Sequence, residues 1–114
     1  MASICDRVLA VDSRIGFVMI VDDAGEVLES LLRGKRLMPQ EDITRYTGIW
    51  TVLIKGISKQ MERFLGAHTF YSLGFDKLVV HGIPVGSKTI VVTASKDLPL
   101  ETVHVLRQIA EATP

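Results

Sequence analysis

Pro39-Gln40-Glu41-Asp42-Ile43-Thr44-Arg45-Tyr46-Thr47-Gly48-Ile49-Trp50-Thr51-Val52-Leu53-Ile54-Lys55-Gly56-Ile57-Ser58-Lys59-Gln60-Met61-Glu62-Arg63-Phe64-Leu65 reads as one long helix. Ile43, Tyr46, Trp50, Leu53, Ile54, Ile57, Met61 and Phe64 recur by threes and fours, the spacing that gathers side chains on one helical face. Proline opens the segment, acids sit near the positive end of the helix dipole, and Gly66 is placed to cap the far end. A second strip, Ile49, Val52 and Gly56, stands beside the first, with Gly48 one turn above Val52. The main stripe is expected to pack on the protein's own sheet, leaving the second strip for another protein.

Around this helix the pattern changes to short apolar runs. Ile4, Val8 and Val11 suggest an opening helix over Met1 to Val11. Ile15 to Val21 is apolar at nearly every position, as in a strand covered on both faces. Asp22-Asp23-Ala24-Gly25 supplies turn residues, and Glu26 to Leu32 returns as the second strand of a hairpin. After the helix come three strand candidates, His68 to Phe75, Lys77 to Ile83 and Lys88 to Ser95, joined by connections short enough to make them antiparallel neighbours. Asp97-Leu98-Pro99 then starts a terminal helix with an apolar stripe of Leu100, Val103, Leu106 and Ala110.

The order α-β-β-α-β-β-β-α implies an α+β fold with a five-stranded antiparallel sheet, helices on both faces and a long central crossover helix, a profilin-like arrangement. At 114 residues the chain is expected to form a single domain over 1–114. Its apolar fraction of 47% against 23% charged excludes disorder. Thirteen basic and thirteen acidic residues cancel, which removes the electrostatic case for nucleic acid. One cysteine, Cys5, cannot close an internal disulfide, so a reducing cytoplasm is the expected setting. No apolar run reaches the roughly 20 residues of a membrane span, and the N-terminus lacks a signal-peptide pattern.

Motifs for chemistry are absent, and an enzyme is not expected. His68, His81 and His104 lie on different elements without metal-motif spacing. Gly82-Ile83-Pro84-Val85-Gly86-Ser87-Lys88-Thr89 only superficially resembles a phosphate-binding loop, because the glycine spacing is short and a strand, not a helix, follows. Ser72, Ser87 and Ser95 lack the setting of an activated nucleophile. No cofactor or metal is implied. Arg33, Lys35 and Arg36 form the only dense basic cluster, either a solvated loop or a contact for an acidic partner or anionic lipid. Gly48 and Gly56 each cost about 1 kcal/mol in a helix interior. Either they make room for the domain's own core, or, with Val52, they form a groove for a second helix.

Arg14-Ile15-Gly16-Phe17-Val18-Met19-Ile20-Val21-Asp22-Asp23-Ala24-Gly25-Glu26-Val27-Leu28 resembles the first hairpin of Roadblock-type (dynein light chain-like) domains, in which an apolar strand ends in Asp-x-x-Gly. The element order over nearly the whole chain is similar too. Within that superfamily the Arg14-Ile15-Gly16-Phe17 opening, the basic loop and Lys77-Leu78-Val79-Val80-His81-Gly82-Ile83-Pro84 look closest to an archaeal family of unknown function.

The resemblance implies a homodimer or heterodimer, with antiparallel long helices and the His68 to Phe75 strands paired at the sheet edge. Gly48, Ile49, Val52, Gly56, Lys59, Arg63, Phe70 and Ser72 would then lie in the interface, with Arg33, Lys35 and Arg36 as partner-binding residues. It further implies a non-catalytic scaffold or regulator of a small Ras-like GTPase. A different reading is a small-ligand sensor with a pocket between sheet and helix, which Trp50, Phe64, Phe70 and Tyr71 are expected to fill.

Overall fold

A computed structural model describes residues 3–112, which form α1 (Ile4–Leu9), β1 (Ile15–Asp22), β2 (Val27–Leu32), α2 (Gln40–Leu65), β3 (Tyr71–Gly74), β4 (Val79–Val85), β5 (Lys88–Ala94) and α3 (Glu101–Glu111). Met1 and Ala2 of the expected first helix lie outside the described residues. The strands make one antiparallel sheet in the order β2-β1-β5-β4-β3. The hairpin before α2 and the meander after it meet through the β1–β5 ladder, so α2 is the crossover that the element order requires.

Local chemistry accounts for the element ends. Ser3 and Asp6 form a reciprocal capping box at the start of α1. In the hairpin turn the Asp22 carboxylate accepts from the backbone N–H groups of Ala24 and Glu26, and Gly25 takes φ 86°, a left-handed conformation suited to glycine. Pro39 occupies the N-cap of α2, and Gly66 closes it with an N–H donated to the Glu62 carbonyl. The last strand-strand connection is the expected hairpin turn, with Gly86 at φ 61° and the strand β5 following.

β3 is shorter than expected and β4 is shifted along the chain. β3 is only four residues long, because the chain from His68 to Phe70 is held by other bonds: the His68 N–H donates to Glu62 Oε1, and the His68 ring sits 2.9 Å from the Phe70 carbonyl. β4 runs on through Pro84 and Val85, which face Thr89 and Lys88 of β5.

The two faces of the sheet are covered unequally. On one, α1 and α3 enclose a large core of Cys5, Val8, Ile15, Val18, Ile20, Ile83, Ile90, Val92, Val103 and Leu106. On the other, Phe17, Met19, Val21 and Val91 form a smaller cluster with Val27, Leu32, Ile43 and Val80 half-buried around it. The alternation along β1 produces this division, with an irregularity at Gly16 that lets Ile15 and Phe17 turn to opposite faces.

Candidate functional site

The long helix lies the opposite way round from the sequence-based expectation. Only Gly48 and Thr51 of α2 are buried, and Thr44, Thr47, Lys55 and Ser58, which share their side of the helix, are half-buried. These residues recur by threes and fours, so the helix presents a small and polar stripe to the sheet. Of the apolar stripe expected against the sheet, Ile43 packs half-buried on the sheet cluster and Ile54 is half-buried, while the rest faces away from the sheet. Tyr46 and Trp50 are each 46% exposed, Ile57 62% and Phe64 74%, with Leu53 and Met61 also in the open.

Specific contacts hold this polar seat. Gly25 and Gly48 touch backbone to backbone, and a Cβ built on Gly25 would stand 2.9 Å from the Gly48 carbonyl oxygen. Asp23 pairs with Lys55. Tyr71 lies over Gly82, in space that a side chain there would fill, with Thr51 of the helix close enough to act on its phenol. Burial pushes the Tyr71 phenol above its usual range, partly offset by the Thr51 side chain.

The remaining expected interface residues separate into distinct groups. Ile49, Val52, Gly56, Lys59 and Arg63 are exposed, and nothing lies within 4 Å of a Cβ placed on Gly56. Gly48 is buried, and the space a side chain there would need is occupied by the Gly25 backbone of the same chain. Phe70 packs half-buried against the core under α3. Ser72 is exposed on edge strand β3, and its hydroxyl lies 2.6 Å from His81 Nδ1. That pair has no third member to orient the imidazole, since His81 Nε2 is buried without a hydrogen-bond partner, and burial lowers the His81 pKa.

The basic cluster also divides. The Arg33 guanidinium donates to the carbonyls of Asp12 and Ile15, each at 3.0 Å, and to that of Leu9. Arg33 therefore ties the end of α1 to the start of β1, while Lys35 and Arg36 are exposed. Cys5 is fully buried, and burial, followed by the nearby Glu29 carboxylate, pushes its thiol up to about 12.

Trp50 and Phe64 point outward, so they do not fill the space between helix and sheet as expected. A groove of about 680 Å³ opens between the hairpin turn and α2, lined by Ala24, Gly25, Val27, Gly48, Ile49 and Val52. Among the described residues no group of three or more His, Cys, Asp or Glu side chains could hold a metal ion. No helix of the described residues is long and apolar enough to cross a membrane.

What this geometry matches is a set of solved structures. Over 96% of the chain it superposes on a Roadblock/LC7 domain from Streptomyces avermitilis, with TM-score 0.75, 8% identity and 90% of that chain covered. It superposes equally widely on Myxococcus xanthus MglB, with TM-score 0.73, 18% identity and 86% of that chain covered. The gliding protein MglB from Thermus thermophilus gives TM-score 0.63, 14% identity and 87% of that chain covered. The chain has the Roadblock/LC7 fold. Scans against protein-family models and curated proteins find no match.

Within this Roadblock/LC7 fold, the missed features left faint traces in the sequence. Thr44, Thr47, Gly48, Thr51, Lys55 and Ser58 keep helical spacing as regularly as the apolar stripe does. A stripe of small and polar residues is an ordinary solvent face, which is why periodicity alone assigns the apolar one to the sheet.

Proposed function

We propose that this chain is a non-catalytic protein-interaction module that works as a homodimer and serves as a scaffold or regulator of a small Ras-like GTPase. The observation that carries the proposal is the row of Tyr46, Trp50, Leu53, Ile57, Met61 and Phe64 on the side of α2 turned away from its own sheet. A contiguous apolar face of this extent marks a contact surface, and removing it from water is favourable at about 25 cal/mol per Å². Charge along α2 favours a second, antiparallel copy: Glu41 and Asp42 begin the helix, and Lys59 and Arg63 lie toward its end. Edge strand β3 offers a second contact through its unpaired backbone.

The GTPase assignment rests on the resemblance of the hairpin and element order to Roadblock-type domains, as does the archaeal affinity suggested by Lys77 to Pro84. A cytoplasmic setting fits the single, buried Cys5. Light scattering tests the first half: the 12.6 kDa chain should have twice its sequence mass at micromolar concentration. Binding assays against small GTPases from the same genome, loaded with GDP or a GTP analogue, test the second. A monomer, or a dimer indifferent to all of them, counts against the respective half.

A second reading has one observation in its favour. The groove of about 680 Å³ between the hairpin turn and α2, beside Gly25 and Gly48, is open to a small ligand. A thermal-shift screen against metabolites distinguishes this sensor role from a scaffold.

A further inference from the structure

We infer the register of the helix pair: two copies of α2 meet around a two-fold axis passing between Val52 and Leu53, with Ile49 of each copy seated over Gly56 of the other. The inference rests on the dimeric reading above and adds which residues face which. α2 runs from Gln40 to Leu65, and the midpoint of that span falls between Val52 and Leu53. An antiparallel pair centred there overlaps along the whole helix, about 39 Å at 1.5 Å per residue, and so removes the most apolar surface from water. Sliding by one turn either way leaves a turn of each helix unpaired.

Residues symmetric about that midpoint come to the same height, and two of the resulting pairs are complementary. Ile49 meets Gly56. At about 100° per residue both lie on the same flank of the line through Leu53, so they approach directly across the two-fold. Ile49 is 49% exposed, and the space above Gly56 is empty out to 4 Å from a Cβ, so a protruding side chain faces a notch. Asp42 meets Arg63, also on one flank, which sets an acid of the first turn against a base of the last at each end of the pair. Gly48 cannot supply an alternative notch, because Gly25 of its own chain occupies it. Full overlap, the notch and the charges therefore coincide in one register.

Cysteine cross-linking under oxidised glutathione reads this register, and the single native thiol is buried and poorly ionised, which keeps the background low. In the inferred register the two Leu53 positions lie about 1.5 Å apart along the helix axes, whereas the two Ile49 positions are about 10 Å apart and the two Ile57 positions about 13 Å. A disulfide requires Cα atoms within about 7 Å. Leu53→Cys should therefore form a covalent dimer, and Ile49→Cys and Ile57→Cys should not. Efficient cross-linking of Ile57→Cys or Ile49→Cys, with Leu53→Cys unreactive, overturns the register in favour of a slide of about two turns or more while the dimer itself stands. A wild-type chain of monomeric mass overturns the register together with the dimeric reading. Gly56→Leu supplies a separate check: filling the notch should weaken dimerisation by about tenfold or more with unchanged circular dichroism. An unaltered dimer constant in that variant would show that Ile49 does not sit there.

Discussion

Gly25 and Gly48 touch through their backbones, locking the hairpin turn after β1 onto the middle of α2. A methyl group on Gly48 would meet the Gly25 carbonyl oxygen, which belongs to a turn already fixed by two hydrogen bonds to the Asp22 side chain and so has little room to retreat. In an open helix, glycine to alanine is a gain of about 1 kcal/mol. At Gly48 the clash should reverse that sign.

Gly48→Ala is accordingly expected to lose about 1–3 kcal/mol of stability, the range for overfilling a packed site. Gly56→Ala, with open space around its Cβ, should gain up to about 1 kcal/mol. Urea titration of both variants in a Leu53→Glu background compares them as folding of one chain. Equal effects at the two positions would mean that the Gly25 contact is not formed.

The two glycines also show how much can be read from the sequence. Element order, sheet content and the crossover helix follow from periodicity and turn chemistry, because they depend on neighbours in the chain. Which face of α2 meets the sheet does not, since it depends on contacts from afar: Gly25 against Gly48, Asp23 with Lys55, Tyr71 over Gly82. Spacing shows two faces on the helix, and the ordinary rule for a single chain assigns the larger apolar one to the core. That rule presumes a protein that buries its apolar stripe by itself. Gly48 and Gly56 look equivalent as glycines in a helix, and only their surroundings separate a backbone contact from an open notch.

Because Leu53 lies on the exposed side of α2, away from the sheet, Leu53→Glu should leave the fold intact. Its circular dichroism should match that of the parent chain, and light scattering should report a monomer where the parent is a dimer. Two charges brought together at the centre of the interface would each be desolvated, a penalty of several kcal/mol. Loss of folded structure in place of dissociation would instead place Leu53 in the core of its own chain.

Arg33 offers a contrast between charge and position. Its guanidinium serves three carbonyls, those of Leu9, Asp12 and Ile15, at the junction of α1 and β1. Hydrogen bonds to a charged group contribute roughly 1.5–3 kcal/mol, so Arg33→Ala should lower stability by about that much. Lys35→Ala and Arg36→Ala, on exposed loop residues, should stay within about 0.5 kcal/mol. Chemical denaturation of the three single variants checks the ranking, and a tolerant Arg33→Ala would return that residue to the set free for a partner.

His81 should make the fold sensitive to mild acid. Its ring is buried on β4, with Nδ1 beside the Ser72 hydroxyl and no hydrogen-bond partner at Nε2. Burial disfavours the imidazolium and lowers the pKa below the ordinary value near 6.5. The unfolded chain therefore takes up this proton at a higher pH than the folded one does. The stabilising contribution of neutral His81 is complete above about pH 6.5 and is lost progressively as pH falls through the folded value. Thermal melting between pH 7.5 and 5 should show a steeper decline for the parent chain than for His81→Gln, which cannot charge. Parallel curves for the two would mean that the His81 ring reaches water and titrates alike in both states.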